Sequence, residues 1–214
     1  MGVVALALVG WSGLTAEAIR TTPKQPETAD IESGEVQGWQ ELSPEELAGI
    51  GFFRKENCVS CHGSGSKTGP DLTKMSAIHK NAAWMIAHFK RPQQMMPGTS
   101  MPSVQLTDSQ LNGLAAFLLK LNSKNSKELE SAPQFAVEGA MVYQQQRCGM
   151  CHQVNGVGMK AGPPLNKLAS RRSREWVEDH FRDPQKMSPG TVMPPYKFNS
   201  RDMDRITSYL LALP

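Results

Sequence analysis

Several features that direct a chain to a common functional class are weak or missing in this sequence. The formal net charge of its 214 residues is only +3, which is too small to indicate a nucleic-acid-binding protein. No segment shows a convincing strand pattern. The apolar, uncharged start at residues 1–15 is shorter than the roughly twenty residues that a membrane-spanning helix needs. It also lacks the basic residues that open a secretory signal, which favours a membrane-buried anchor or the end of a span.

Cysteine is scarce as well, and its arrangement is the strongest signal in the chain. The four cysteines form two pairs with two residues between, and a histidine follows each pair directly. At this spacing two thiols can add to the two vinyl groups of one haem while the histidine reaches the iron. One such motif alone would also suit a redox dithiol or half a zinc site. The predicted attachment and ligand residues are Cys58, Cys61 and His62, then Cys148, Cys151 and His152.

A long internal repeat accompanies the two motifs. The segment WMIAHFKRPQQMMPGTSMP, from Trp84 to Pro102, matches WVEDHFRDPQKMSPGTVMP, from Trp176 to Pro194, with 11 identities in 19 positions. The repeat has an offset of 92 and the cysteine motifs have an offset of 90. The chain is therefore a tandem duplication, in which each copy carries one cysteine motif and one methionine-rich loop.

Polar segments without apolar periodicity divide the chain into its predicted parts. Helical patterns open and close each copy, so we predict an all-α fold with a few helices wrapped around one haem per copy. The first helix of copy one is expected to begin at Ser43 and Pro44, an N-cap followed by proline at the first helical position. The predicted parts are an apolar anchor or end of a span at 1–20, a polar tether at 21–42, a first haem domain at 43–121, a linker at 122–132 and a second haem domain at 133–214.

A second axial ligand would keep each iron six-coordinate, and thioether sulfur suits that role and raises the reduction potential. Met101 and Met193 occupy equivalent places in the sequence Pro-Gly-Thr-x-Met-Pro, where prolines and a glycine can hold an extended loop. We therefore predict these two methionines as ligands. Other repeated residues compete for the role, either as packing methionines or as partners in bis-histidine ligation, and they are Met95, Met187, His88 and His180.

From Ser43 to Pro214 these residues resemble the class I cytochrome c family, specifically its two-domain dihaem members. The resemblance implies that a glycine and an aromatic before each motif pack against an aromatic of the last helix, the sets being Gly49, Phe53 and Phe117, then Gly139, Tyr143 and Tyr209. It also implies that the proline of a Gly-Pro-x-Leu sequence accepts the second ring proton of the axial histidine. The prolines that fit this pattern are Pro70 and Pro163.

The resemblance implies a function in electron transfer through two covalently bound haem c groups, without substrate chemistry. The apolar start and the tether favour a membrane-attached subunit on the periplasmic or equivalent side, similar to dihaem subunits of quinol-oxidising cytochrome bc-type, respiratory or photosynthetic complexes. Expected partners are the other subunits of such a complex and a redox protein that accepts or donates electrons. A free periplasmic shuttle, an oxidase-feeding subunit and a dihaem peroxidase are the alternatives.

A run of arginines in the second copy has two interpretations. It would contact haem propionates or an acidic redox partner, or it would form a solvated face, as charge runs usually do. The residues are Arg171, Arg172 and Arg174.

Overall fold

The computed structural model describes residues 38–63, 65–78 and 81–214. Helices dominate these ranges, and the all-α prediction is confirmed. In the first copy they are α1 (Pro44–Lys55), α2 (Val59–His62), α3 (Met75–Ile78), α4 (Ala82–Lys90), α5 (Pro92–Met95) and α6 (Asp108–Lys120). Between the copies lies α7 (Ser126–Glu130), and the second copy contains α8 (Gln134–Gln145), α9 (Arg174–Arg182), α10 (Pro184–Met187) and α11 (Ser200–Leu211). Short 3-10 turns occupy Trp39–Glu41, Leu72–Lys74, Cys148–Met150 and Leu168–Ser170.

The first long helix begins where the sequence predicts. Ser43 Oγ accepts a hydrogen bond from the backbone N–H of Glu46 at 3.2 Å, and the Ser43 N–H donates to Glu46 Oε2 at 2.8 Å. This reciprocal cap satisfies donors that would otherwise lack a partner in the first turn. Helix α6 begins with the same type of cap, formed by Thr107 and Gln110. Both helices are thereby fixed at their start, and each packs against the other.

Glycine permits a close approach between the first and last long helix of each copy. A Cβ atom on Gly49 would lie 2.1 Å from the carbonyl oxygen of Gly113, and one on Gly139 would lie 2.2 Å from Tyr209 Cβ. The rings of Phe53 and Phe117 meet edge to face at 5.4 Å between centroids. Tyr143 and Tyr209 meet in the same way at 6.4 Å. The contacts implied by the family resemblance are therefore present in both copies.

One short hairpin departs from the expectation that the chain has no strand. Strands β1 (Gln153–Val154) and β2 (Val157–Gly158) pair antiparallel, directly after the second cysteine motif. Asn155 and Gly156 connect them with φ angles of 51° and 78°. An Asn-Gly pair suits this tight turn because both residues tolerate positive φ better than others do. The signal was present in the sequence, but a two-residue strand is too short to show periodicity.

The two copies share an interface formed mainly by α1 and α8. Gly51 of α1 packs against Met141 of α8, where a Cβ atom on the glycine would lie 2.3 Å from the sulfur. Gln144 Nε2 donates to the carbonyl oxygen of Ser109 at 2.7 Å. Arg54 extends from α1 to the linker and donates to the carbonyl oxygens of Glu130 and Ala132 at 2.6 and 3.0 Å.

The last residues of the predicted tether are docked rather than extended into solvent. We call residues 38–42 the docking strap. Trp39 is only 6% exposed, Leu42 is 3% exposed, and the Trp39 ring packs edge to face on Phe135 at 5.8 Å. The side chain of Asn155 donates to the carbonyl oxygens of Gln40 and Leu42 at 2.6 and 2.8 Å. The two apolar residues explain why this end of the otherwise polar segment folds.

The predicted anchor at 1–20 and the tether as far as residue 37 lie outside the described residues. Among the helices of the described ranges, none combines the length and the apolar character that a membrane crossing requires. The domain boundaries proposed from the sequence stay predictions.

Candidate haem sites

The cysteine motifs place their thiols and histidines within single turns of chain. Cys58 precedes α2, and a 3-10 turn contains Cys148. The four motif thiols, all within the described residues, form no disulfide. Burial raises the pKa of Cys58 to about 11, with a further contribution from Glu56, and burial raises the pKa of Cys148 to about 12. A redox dithiol requires a thiol with a lowered pKa, so these raised values disfavour that alternative.

Each motif histidine is oriented by a backbone carbonyl in the following loop. His62 Nδ1 lies 3.0 Å from the carbonyl oxygen of Pro70, and His152 Nδ1 lies 2.8 Å from that of Pro163. Because a carbonyl oxygen only accepts, Nδ1 carries the proton and Nε2 is the atom left with a lone pair for a metal. The hydrogen bond also increases the donor strength of the ring. Both expected bonds are present, and the ligand roles of the histidines stay predictions.

A glycine before each proline packs against the face of the imidazole. A Cβ atom at Gly69 would lie 2.7 Å from His62 Cε1, and one at Gly162 would lie 2.5 Å from His152 Cε1. The same glycines donate from their backbone N–H to the carbonyl oxygens of Cys61 and Cys151 at 2.9 and 2.7 Å. Only a residue without a side chain fits there, so the Gly-Pro pair holds the ring from two directions.

The methionine loops have the same internal hydrogen bonds in both copies. Thr99 Oγ1 accepts from the backbone N–H of Met101 at 3.2 Å, and Thr191 Oγ1 accepts from that of Met193 at 3.2 Å. Both methionines are half-buried and pack against the hydrophobic core. Their loops turn at a glycine of positive φ, 85° in the first copy and 86° in the second. The loop geometry thus fixes the backbone of each methionine relative to its own copy.

Two glutamines that were not predicted from the sequence reinforce these loops. Gln93 Nε2 donates to the carbonyl oxygen of Met101 at 2.8 Å. Gln185, its repeat equivalent, donates to the carbonyl oxygen of Thr191. A glutamine after the proline in both copies was the available signal, because that position is identical in the two repeats.

The competing histidines lie flat on tryptophan rings one helical turn earlier. The ring centroids of His88 and Trp84 are 5.1 Å apart at 6°, and those of His180 and Trp176 are 4.7 Å apart at 11°. Arg172 covers the Trp176 ring at 4.4 Å from its centroid. Burial lowers the pKa of His180, and the nearby His152 and Arg172 lower it further. This repeated stacking supports the packing interpretation of these histidines.

The comparisons with known proteins agree with this geometry. A family model described as cytochrome c matches residues 47–122 and again residues 136–214. The chain belongs to the cytochrome c family. The double match confirms the prediction of tandem cytochrome c domains, which transfer electrons through haem.

One curated relative belongs to an oxidase. Cytochrome c oxidase subunit 2 of Alkalihalophilus pseudofirmus is 33% identical to this cytochrome over 98 residues, which are 41% of this chain and 29% of that protein. The chain therefore covers less than a third of that relative. No solved structure matches the chain.

The cytochrome's second domain contains polar groups that its first domain lacks. Tyr143 Oη donates to the carbonyl oxygen of His152 at 3.0 Å, whereas the equivalent residue of the first domain is Phe53. The Tyr209 hydroxyl is buried and has no hydrogen-bond partner among the described residues. Burial raises its pKa, and Tyr143 and Cys148 contribute further. The family resemblance implied that these tyrosines pack against each other, and the roles of their hydroxyl groups were not predicted.

The residues of both domains fit a c-type haem, the cofactor that the family implies. Each domain offers two thiols at the attachment spacing and a histidine whose Nδ1 is already engaged. In the second domain the unpartnered Tyr209 hydroxyl near Cys148 is a buried donor that a bound group can satisfy. When bound, haem supplies a one-electron couple between ferrous and ferric iron.

Proposed function

We propose that this cytochrome is a dihaem electron carrier, with one haem c in each domain and axial ligation by histidine and methionine. The ligand pairs would be His62 with Met101 and His152 with Met193. The observation that carries the proposal is the repetition of the whole support system. In both domains a proline carbonyl holds the histidine, and a threonine hydroxyl and a glutamine amide hold the methionine loop.

This arrangement suits electron transfer because the protein groups are fixed before the oxidation state changes. The imidazole cannot rotate freely between the glycine and the proline carbonyl. The methionine loop is closed by its own side chains, so little rearrangement accompanies a change of iron charge. The rings of the aromatic pairs between the long helices add apolar surface in each domain. The protein's contribution is to hold and shield the group.

A potentiometric titration of the full chain, with visible and near-infrared spectra recorded together, tests the proposal. We expect two low-spin haems at positive potentials, both with the charge-transfer band between iron and sulfur. The variants Met101→His and Met193→His should each remove about half of that band. A missing band in the wild type would refute methionine ligation, and one high-spin haem would refute the electron-carrier function in favour of catalysis.

An enzyme is the rival class, and dihaem peroxidase activity is its main form. Such an enzyme needs one iron with an open or displaceable position. Both domains carry the same methionine loop, which supports a carrier with two closed sites. Rapid turnover of peroxide, or tight cyanide binding at low concentration, would favour the enzyme.

For the host we propose a membrane-attached subunit on the periplasmic side, in a quinol-oxidising cytochrome bc-type or related respiratory or photosynthetic complex. The apolar start at residues 1–15 supports attachment. The similarity to an oxidase subunit supports a second candidate, in which the chain delivers electrons to a terminal oxidase. Extraction separates attachment from a free shuttle, because an anchored subunit needs detergent whereas a free shuttle leaves membranes with salt alone. Copurification of a quinol-oxidising or an oxidase complex then distinguishes the two hosts.

A further inference from the structure

We propose that a carboxylate fixed at the histidine loop of the first domain and a guanidinium fixed at that of the second give the second haem the higher reduction potential. Electrons would then pass from the first domain to the second. The inference rests on the proposed function, because it assigns an order to the two haems. The inference depends on the charged group found at one position of the repeat, directly after the proline whose carbonyl binds the histidine. That position is Asp71 in the first domain and Pro164 in the second.

In the first domain a carboxylate is fixed at this position. Asp71 Oδ1 accepts from the Thr73 hydroxyl at 2.7 Å and from the Thr73 backbone N–H at 3.0 Å. These two hydrogen bonds lower the pKa of Asp71, so the group is ionised at neutral pH. The negative charge therefore stands one residue after Pro70, which accepts the proton of His62 Nδ1.

In the second domain the guanidinium of Arg171, from later in the chain, binds the carbonyl group of the equivalent residue, Pro164. Arg171 Nη2 donates to the carbonyl oxygens of Pro164 and Asn166, both at 2.8 Å. Its Nε donates to the carbonyl oxygen of Lys167 at 3.3 Å. These three hydrogen bonds hold the positive charge of Arg171 against the loop. One of them is to Pro164, the residue after Pro163, whose carbonyl accepts the proton of His152 Nδ1. The run of arginines in the sequence thus contributes one residue that braces the loop.

The neighbouring lysines do not cancel this difference. Lys74 and Lys167 stand at equivalent places, three residues after Asp71 and Pro164, and both are exposed. Their charges are the same in the two loops, so they contribute equally to both sites. The contrast that remains between the loops is a fixed carboxylate in one and a fixed guanidinium in the other.

Both physical effects of these charges act in the same direction. Ferric haem carries one more positive charge than ferrous haem, so a nearby carboxylate favours the oxidised form and a guanidinium favours the reduced form. A carboxylate beside the accepting carbonyl also strengthens the hydrogen bond from the imidazole, which increases its donation to iron. A guanidinium on the adjacent carbonyl withdraws electron density and weakens it. Asp71 and Arg171 are therefore positioning residues that act through the histidine loops.

Potentiometric titration of the haem-loaded full chain tests the inference. The variant Asp71→Asn should raise the lower midpoint potential, and Arg171→Gln should lower the upper one. At a fixed ambient potential we expect each change to alter the ratio of reduced to oxidised haem by about three- to tenfold. Both shifts should shrink as ionic strength rises, because both groups are accessible to solvent.

Matched variants separate a local charge effect from a change of net charge or of fold. Asp108→Asn and Arg201→Gln remove the same charges from exposed positions at the first turns of α6 and α11, and should leave both potentials unchanged. Arg171→Lys keeps the positive charge and should retain most of the wild-type potential, even where loop bonds are lost. Met101→His identifies the first haem independently, because loss of the thioether lowers its potential.

The outcomes distinguish this inference from the proposed function. If two low-spin haems titrate but neither Asp71→Asn nor Arg171→Gln shifts a potential more than its matched control, the inference is wrong and the carrier function stands. It is equally wrong if Met101→His identifies the first haem as the one with the higher potential. If the wild type binds one haem or contains a high-spin site, the proposed function itself fails.

Discussion

The two domains have the same helical framework and differ in how polar groups support it. The first domain packs two phenylalanines between its first and last long helices, and the second packs two tyrosines. The second domain adds a hairpin after its cysteine motif and an arginine that binds its histidine loop. Duplication has therefore kept the contacts of the motif histidines and of the methionine loops, and it has changed the charges and hydrogen bonds around them. Variants made in pairs, one in each domain, measure how much these differences matter.

The largest loss of stability is expected where both domains are alike, at the glycine contacts between long helices. Gly49→Val and Gly139→Val should each destabilise the chain by about 3 kcal/mol, because the new side chain has no space beside the opposing helix. Chemical denaturation followed by haem absorbance measures the loss. Ala83→Val, at an exposed position of α4, controls for the lower helix propensity of valine and should cost less than about 0.5 kcal/mol. Similar losses at the glycines and at Ala83 would show that the helices do not pack this closely.

A smaller loss of stability is expected at two asparagines of positive φ, and it should differ between them. They are Asn155 in the second domain and Asn57 in the first. Asn155→Ala should cost about 2–3 kcal/mol, because it strains the turn and removes three side-chain hydrogen bonds, two to the docking strap and one from Asn166. Asn57→Ala should cost only about 1 kcal/mol, which is the backbone penalty alone. Denaturation gives both losses, and Trp39 fluorescence reports release of the strap. Equal losses without a fluorescence change would contradict the docked strap.

The tyrosine pair provides the next comparison. Tyr143→Phe should destabilise the second domain by about 1 kcal/mol, because it removes the hydrogen bond to the His152 carbonyl. Tyr209→Phe is the control, since its hydroxyl has no partner among the described residues, and should cost less in the protein without haem. Thermal unfolding of both variants, with and without haem, gives the values. If haem makes Tyr209→Phe the costlier change, the Tyr209 hydroxyl binds the haem group.

The smallest effect is expected at an exposed ion pair of the first domain. Lys90 Nζ lies 2.5 Å from Asp108 Oδ1, and the two side chains are 42% and 80% exposed. Lys90→Gln should change the free energy of unfolding by less than about 0.5 kcal/mol, because solvent and salt screen exposed pairs. The more enclosed pair of Arg205 and Glu138 in the second domain has two contacts of 2.8 Å, so Glu138→Gln should cost more. The reverse order would show that exposure does not decide the strength of these pairs.

Local sequence patterns and the family resemblance predicted most of the loop contacts seen at the candidate site. The cysteine spacing, the Gly-Pro pair and the Pro-flanked methionine act over a few residues, so their geometry follows from short segments of chain. The helix starts at Ser43 and Thr107 likewise depend on side chains three residues apart. The aromatic contacts were implied by the resemblance to the class I cytochrome c family, and both copies contain them.

The features that sequence reasoning missed depend on partners far along the chain or on single side-chain bonds. Asn155 and Gln40 are more than a hundred residues apart, and no local pattern connects them. The polar composition of residues 21–42 predicted a tether and obscured the two apolar residues, Trp39 and Leu42, that dock its end. The three bonds of Arg171 were hidden in a run of arginines, because residue type alone does not distinguish a brace from a solvated face.

The docking strap also sets an order of events during synthesis. Residues 38–42 are made before either cysteine motif, yet their partners Asn155 and Ala212 are among the later residues of the chain. At about 5–20 residues per second, the strap waits on the order of ten seconds before its last partner exists. Until α8 is made, Trp39 lacks the Phe135 ring on which it packs, and until Asn155 is made the strap lacks the side chain that binds two of its carbonyl groups. Docking of the strap therefore reports that the second domain is complete.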